Sequence, residues 1–92
     1  MTKYGVEYHP EVKTKDLLEI NPDMKTRIKK AIEERLQVAP YDYGLPLRKS
    51  LKRYWKLRVG DYRIVYKIDN TTVRIFCICH RKNVYKMAEG RG

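Results

Sequence analysis

Arg63, Arg81 and Tyr85 are side chains whose types can together break a phosphodiester bond. In RNA the 2′-hydroxyl attacks the adjacent phosphorus, and negative charge builds on the phosphate oxygens. Two guanidinium groups would stabilise that charge, an electrostatic role that often supplies the largest share of a rate enhancement. Tyr85 is the candidate for proton transfer. His80 is a second candidate acid or base, and a strand-end histidine bonded to backbone is an equal alternative for it. No pair of carboxylates near these residues, no Ser-His-Asp arrangement and no metal-ligand cluster is readable, so neither a metal nor a cofactor is expected.

Such groups act only if a scaffold gathers them, and residues 51–81, LKRYWKLRVGDYRIVYKIDNTTVRIFCICHR, provide one. Tyr54 to Val59 alternate between polar or basic and large apolar residues, Gly60-Asp61 offers a two-residue turn, and Tyr62 to Ile68 run back as a second strand. Glycine at the first central position suits a type II′ turn, which sets the register: Val59 faces Tyr62, Arg58 faces Arg63, Leu57 faces Ile64, Lys56 faces Val65 and Trp55 faces Tyr66. Trp55, Leu57, Val59, Tyr62, Ile64, Tyr66 and Ile68 then share a core face. Tyr54, Lys56, Arg58, Arg63 and Lys67 share the other. Asp69 to Thr72 turn the chain into a last strand, Val73 to His80. If Ile68 pairs with Val73, strict alternation adds Ile75, Cys77 and Cys79 to the core face, and Arg74, Phe76, Ile78 and His80 to the basic one.

A solvated outer face is the bland reading of these charges. Two features weigh against it. Arg58 opposite Arg63 is a like-charge pair, which destabilises a sheet unless something neutralises it. Val65, Phe76 and Ile78 also mix apolar groups among the cations. Phosphates meeting cations and bases packing on rings would suit such a floor, which points to single-stranded nucleic acid, with an acidic amphipathic protein segment as the alternative. Tyr54, Lys56, Arg58, Lys67, Arg74 and His80 are therefore the candidate RNA-binding residues.

The 92 residues allow one domain with a single modest core. With 21 Lys plus Arg against 11 Asp plus Glu, the formal charge is +10, favouring polyanionic partners. A membrane is the weakest of these and is not expected as a partner, since the longest uncharged apolar run, Ile75 to Cys79, is too short to span one. The N-terminus has no secretion-signal core, so cytoplasmic residence is expected. Cys77 and Cys79, two apart in a strand, point to one face and read as buried small apolar residues; Cys-x-Cys-His lacks the further ligands a structural zinc needs.

Ahead of the hairpin, Lys3 to Tyr8 reads as a first strand. His9-Pro10-Glu11 starts a helix ending near Ile20, and Asn21-Pro22-Asp23 starts a second whose stripe is Met24, Ile28, Ala31, Ile32 and Leu36. Pro40, Gly44 and Pro46 bar a long regular element over Ala39 to Ser50, where Leu45, Leu47 and Leu51 pin the loop to the core. The tail from residue 87 to 92 is expected to fray. The order β-α-α-β-β-β predicts an α+β domain: a mostly antiparallel sheet with a helical hairpin on one face.

LRVGDYRIVYKI, a following strand ending in HR, and a tyrosine four residues after that arginine resemble the RelE/ParE superfamily of bacterial and archaeal toxins, over nearly the whole chain. The resemblance implies a RelE-like fold and, for the RelE branch, metal-independent cleavage of mRNA in the ribosomal A site, with translation inhibited. It also implies a cognate antitoxin as partner beside the ribosome and mRNA, and a possible toxin–antitoxin hetero-oligomer. Arg63, Arg81 and Tyr85 match catalytic positions by pattern, Lys56 a strand lysine of the site and Arg58 a neighbouring basic position. Tyr54 stands where the RelE branch has a further lysine, and Arg81 and Tyr85 are closer in sequence than their counterparts there. The superfamily also contains DNA gyrase inhibitors of the ParE type. The alternatives are thus gyrase inhibition, or a toxin-like module that binds without catalysis.

Overall fold

The structure, a computed structural model, describes residues 3–91. Strand β1 (Gly5–Tyr8) leads into a π-helical turn (Val12–Asp16), a 3₁₀ turn (Leu17–Glu19) and helix α1 (Pro22–Ala31), which runs on as a second π-helical turn (Ile32–Leu36). A one-turn helix α2 (Pro40–Tyr43) and a two-residue strand β2 (Leu45–Pro46) follow. Strands β3 (Trp55–Val59), β4 (Tyr62–Asp69) and β5 (Thr72–His80) come next, and helix α3 (Val84–Gly90) follows them. The sheet order is β1-β5-β4-β3-β2; β1 runs parallel to β5 and the other pairs are antiparallel. This is the expected α+β architecture, with the helical hairpin on one face. Among the described residues no helix is long and apolar enough to cross a membrane.

Local chemistry explains the elements that were legible. Asn21 caps α1, its side-chain oxygen accepting from the Met24 amide at 2.8 Å, and Pro22 needs no donor partner at that position. Gly60 adopts φ 58°, the left-handed value a β-branched or bulky residue avoids, and the β3–β4 register is the one expected, Arg58 against Arg63 included. Ile28, Ala31, Ile32 and Leu36 pack with Val12 and Ile20 against Leu57, Val59, Ile64, Tyr66, Val73 and Ile75.

A bulge overturns the expected register of β5. Ile68 pairs with Val73 and Tyr66 with Ile75, but Val65 then pairs with Cys77 and Ile64 with Ile78, leaving Phe76 without a partner. One extra residue reverses the inside–outside parity of everything beyond it. Ile78 and His80 therefore join Ile64 and Tyr62 on the helix side, not the basic face. Cys77 and Cys79 lie on the opposite side with Val65 and Arg63, not in the helix-side core.

That opposite side is not bare. Leu47 and Leu51 from the loop and Val84 and Ala88 from α3 close over Val65, Cys77 and Cys79 as a second small core, edged by Tyr54 and Phe76. The uninterrupted apolar run from Ile75 to Cys79 is explained by it: a strand buried on both faces has no polar side to show. Hydrogen bonding to Cys79, together with burial, pushes the Cys77 thiol up, keeping it protonated.

Of the tail expected to fray, residues 87–91 are described, and Gly92 lies outside the described residues. The described part is helical through Gly90, and Arg91 is 7% exposed. Its guanidinium makes a two-pronged contact with Asp16, 2.8 Å on each prong, reaches Glu11 at 3.0 Å, and donates to the Phe76 carbonyl at 3.0 Å. Asp16 in turn accepts from the Ile78 amide at 2.9 Å. β1 stops pairing at Ile75, so these side chains satisfy the outer edge of β5 beyond it.

Gly44 is set by close approach. A Cβ built there would overlap the hydroxyl oxygen of Tyr66, which donates to the Pro40 carbonyl at 2.7 Å from a fully buried position. Gly44→Ala is expected to destabilise the fold by about 1–3 kcal/mol, as overpacking does. Urea unfolding checks it, and adding Tyr66→Phe to remove the clashing oxygen should recover part of the loss.

Candidate functional site

The hairpin turn organises both arginines. Arg63 is half-buried, and its Nη1 donates to the carbonyls of Gly60 (3.1 Å) and Tyr62 (2.9 Å). Those two bonds occupy one nitrogen of a guanidinium with five N–H groups, leaving Nε and Nη2 to meet an anion. Arg81 follows β5 directly. Its amide donates to the Asp61 carbonyl at 2.8 Å, while its Nε stands 3.8 Å from the Asp61 carboxylate in an exposed pair. Exposed pairs of this kind hold a side chain weakly. One arginine is fixed on main-chain carbonyls, and the other is anchored by its backbone with a mobile-length side chain in solvent.

Tyr85 sits on the first turn of α3 and is 38% exposed. It lines an open groove of about 850 Å³ with Lys56, Arg48, Lys49, Leu47 and Glu89. Lys56 belongs to the same face as Arg63, since the register places it opposite Val65 and two positions from Arg58. The groove thus joins the candidate proton-transfer residue to a strand lysine and to a loop pair, Arg48 and Lys49, that sequence reasoning missed. Two adjacent cations directly after Leu47 were the available signal. Lys49 holds φ 57°, a left-handed backbone that costs about 1–3 kcal/mol in a non-glycine residue.

The remaining candidates separate. Arg58 is exposed at the open edge of β3, where it lines a second groove of about 660 Å³ with Arg27, Lys30, Glu34 and Arg35. Lys67 and Arg74 are cross-strand partners, and with Tyr54 they line a cavity at the far end of the sheet. Arg74 is held by Glu7 at 3.3 Å and Asp69 at 3.5 Å. His80 leaves the basic face altogether: its ring meets Tyr62 edge-on at 6.0 Å, and its Nδ1 accepts from the Lys82 amide at 3.2 Å. A histidine capping a 3₁₀ turn is the backbone-bonded alternative, and the bulge also sends it to the face opposite Cys77 and Cys79.

The sequence matches the family model described as the ParE toxin of type II toxin–antitoxin systems over residues 6–85. It is 32% identical over 74 residues to toxin RelG of Mycobacterium tuberculosis, covering 78% of this chain and 85% of that one. The fold superposes on a chain of the RelBE2 toxin–antitoxin complex of M. tuberculosis with a TM-score of 0.80 at 31% identity, covering 88% of this chain and 94% of the other. A chain of the RelB–RelE antitoxin–toxin complex from Methanococcus jannaschii is similar at a TM-score of 0.67 and 26% identity, with 87% and 95% covered. A sheet built around the Gly60-Asp61 hairpin, cations gathered on its α3 side and a family match spanning most of the sequence agree: the chain belongs to the RelE/ParE superfamily as a toxin of a type II toxin–antitoxin system.

Proposed function

We propose that this toxin is a metal-independent endoribonuclease that cuts mRNA in the ribosomal A site and so stops translation. The observation that supports it most is the placement of Arg63, with free guanidinium donors, on the same side of the sheet as the groove that joins Tyr85 to Lys56. In the proposed reaction Tyr85 accepts the 2′-hydroxyl proton as its own phenolic proton passes to solvent, or orients a water that takes it. The 2′-oxygen bonds to phosphorus and the bond to the 5′-oxygen breaks, leaving a 2′,3′-cyclic phosphate and a 5′-hydroxyl protonated from solvent. Arg63 and Arg81 stabilise the charge on the phosphate oxygens. Lys56 and Arg58 hold flanking phosphates, and Arg48 and Lys49 extend that track. The RelBE2 and RelB–RelE assemblies support an antitoxin as the partner of this chain too. The cell interior, where ribosomes are, is the proposed site of action.

The ParE description of the family model favours a second reading, inhibition of DNA gyrase. Purified toxin added to ribosomes stalled on a defined mRNA should cut the A-site codon, seen by primer extension, and leave gyrase supercoiling intact. Supercoiling inhibited with no cut mRNA would replace the first reading by the second. Binding to programmed ribosomes should also weaken with salt. If four cations each neutralise one phosphate, log affinity falls against log salt with a slope of roughly −3, at about −0.7 per phosphate on single strands. A flat dependence points to an apolar protein interface.

A further inference from the structure

Four side chains form a row across the sheet on its α3 side: Glu7 on β1, Arg74 on β5, Lys67 on β4 and Tyr54 just before β3. Alternation from Arg74 adds Phe76 as a fifth member, and the bulge brings Cys77 to the same side. In a bulge two consecutive residues oppose one, and here Phe76 and Cys77 both join the second core, which sets the Phe76 ring above this row. Tyr54 lies against Phe76 with centroids 4.8 Å apart and planes tilted by 32°, and His9 meets Phe76 edge-on at 5.5 Å. Between them is a cavity of about 270 Å³ lined by Tyr54, Phe76, His9, Lys67 and Arg74.

We infer that this cavity is a nucleotide subsite, taking one unstacked base of single-stranded RNA among the rings with an adjoining phosphate on Lys67. Its size is below the roughly 300–1,000 Å³ of pockets for larger ligands, so it suits a single planar group. Aromatic walls beside a cation are what a splayed-out base and its phosphate need, whatever the base. The two cations differ. Glu7 and Asp69 already compensate Arg74, whereas among the described residues no carboxylate lies within ion-pair distance of Lys67. Lys67 opposite Arg74 repeats the like-charge pairing of Arg58 and Arg63, and a bound phosphate relieves it. Lys67 is four residues along β4 from Arg63, about 13 Å at the usual rise, so the subsite holds a nucleotide a few positions from the bond being cut.

The inference rests on the proposed RNA reading of this face, but its test does not require cleavage. The 92-residue protein, labelled with nitrogen-15, is titrated with adenosine 5′-monophosphate, ribose 5-phosphate and inorganic phosphate. The nucleotide should shift the amides of His9, Tyr54 and Phe76 saturably; the two base-free anions should not. Lys67→Met should weaken the nucleotide about tenfold, and Phe76→Leu, which keeps an apolar side chain but removes the ring, should weaken it without unfolding the second core. Equal shifts with ribose 5-phosphate would reduce the cavity to an anion site and overturn the inference, as would no saturable shift at all. Cleavage without nucleotide shifts sinks the subsite alone, and nucleotide shifts in a protein that never cuts RNA sink the enzymatic reading alone.

Discussion

Arg63→Ala is expected to lower single-turnover cleavage of ribosome-bound mRNA by about 10²–10³-fold, the usual cost of removing one donor that stabilises transition-state charge. Nη1 also holds the turn through the Gly60 and Tyr62 carbonyls, so a loss could be misread as a loosened hairpin. Arg63→Lys separates the two effects. It keeps the charge but lacks the planar fork, and cannot grip a carbonyl pair and a phosphate at once. Its activity should fall nearly as far as that of the alanine variant, while its circular dichroism and urea midpoint stay close to wild type. Tyr85→Phe should cost about 10²–10⁴-fold through lost proton transfer, with ribosome affinity nearly unchanged. If both Arg63→Ala and Tyr85→Phe cut at the wild-type rate, the catalytic assignment fails.

The second large effect concerns stability. In Arg91→Ala the Asp16 carboxylate, buried under the end of α3, keeps only the Ile78 amide. Breaking a buried ion pair from one side costs about 3–5 kcal/mol, because the remaining charge is left uncompensated. Stabilities run about 0.05–0.15 kcal/mol per residue, so this is a large part of the total for a chain this size. Urea unfolding should show the midpoint collapse for Arg91→Ala. The double variant Asp16→Ala/Arg91→Ala should lose clearly less than the sum of the single losses, since its second change removes the stranded charge. Additive losses would mean that the two groups do not depend on each other. Because α3 carries Tyr85, the single variant should also cut RNA more slowly at temperatures where it remains mostly folded.

What could be read in the residues was local. Gly60 in a two-residue loop, Asn21 ahead of Pro22, and apolar groups at helical spacing from Met24 to Leu36 each act within a few positions, where one conformation is clearly favoured. The register of β3 on β4 followed from them, and with it the meeting of Arg58 and Arg63. The shift at Phe76 was not readable that way. Ile75, Phe76, Cys77, Ile78 and Cys79 are apolar without a break, so either parity buries good side chains, and packing against α3 and against Leu47 and Leu51 decides between them. α3 itself is short, ends in glycine, and is held by a pair separated by 75 positions, which no local pattern reveals. The candidate site was correspondingly half visible. Arg63 and Lys56 fell where the strand pattern puts them and Phe76 stayed on the basic face, whereas His80 was carried across the sheet by the extra residue, Tyr85 took its place from α3, and Arg48, Lys49 and His9 entered only once the loops had positions.

The joining of the two ends of the chain has a consequence for synthesis. β1 needs β5 beside it, and Asp16 needs Arg91, so the first and last segments complete each other's bonding. A nascent copy therefore cannot pair β1 until β5 has emerged, nor neutralise Asp16 until Arg91 has. A copy cut short before α3 would lack both the helix that carries Tyr85 and the guanidinium that neutralises Asp16.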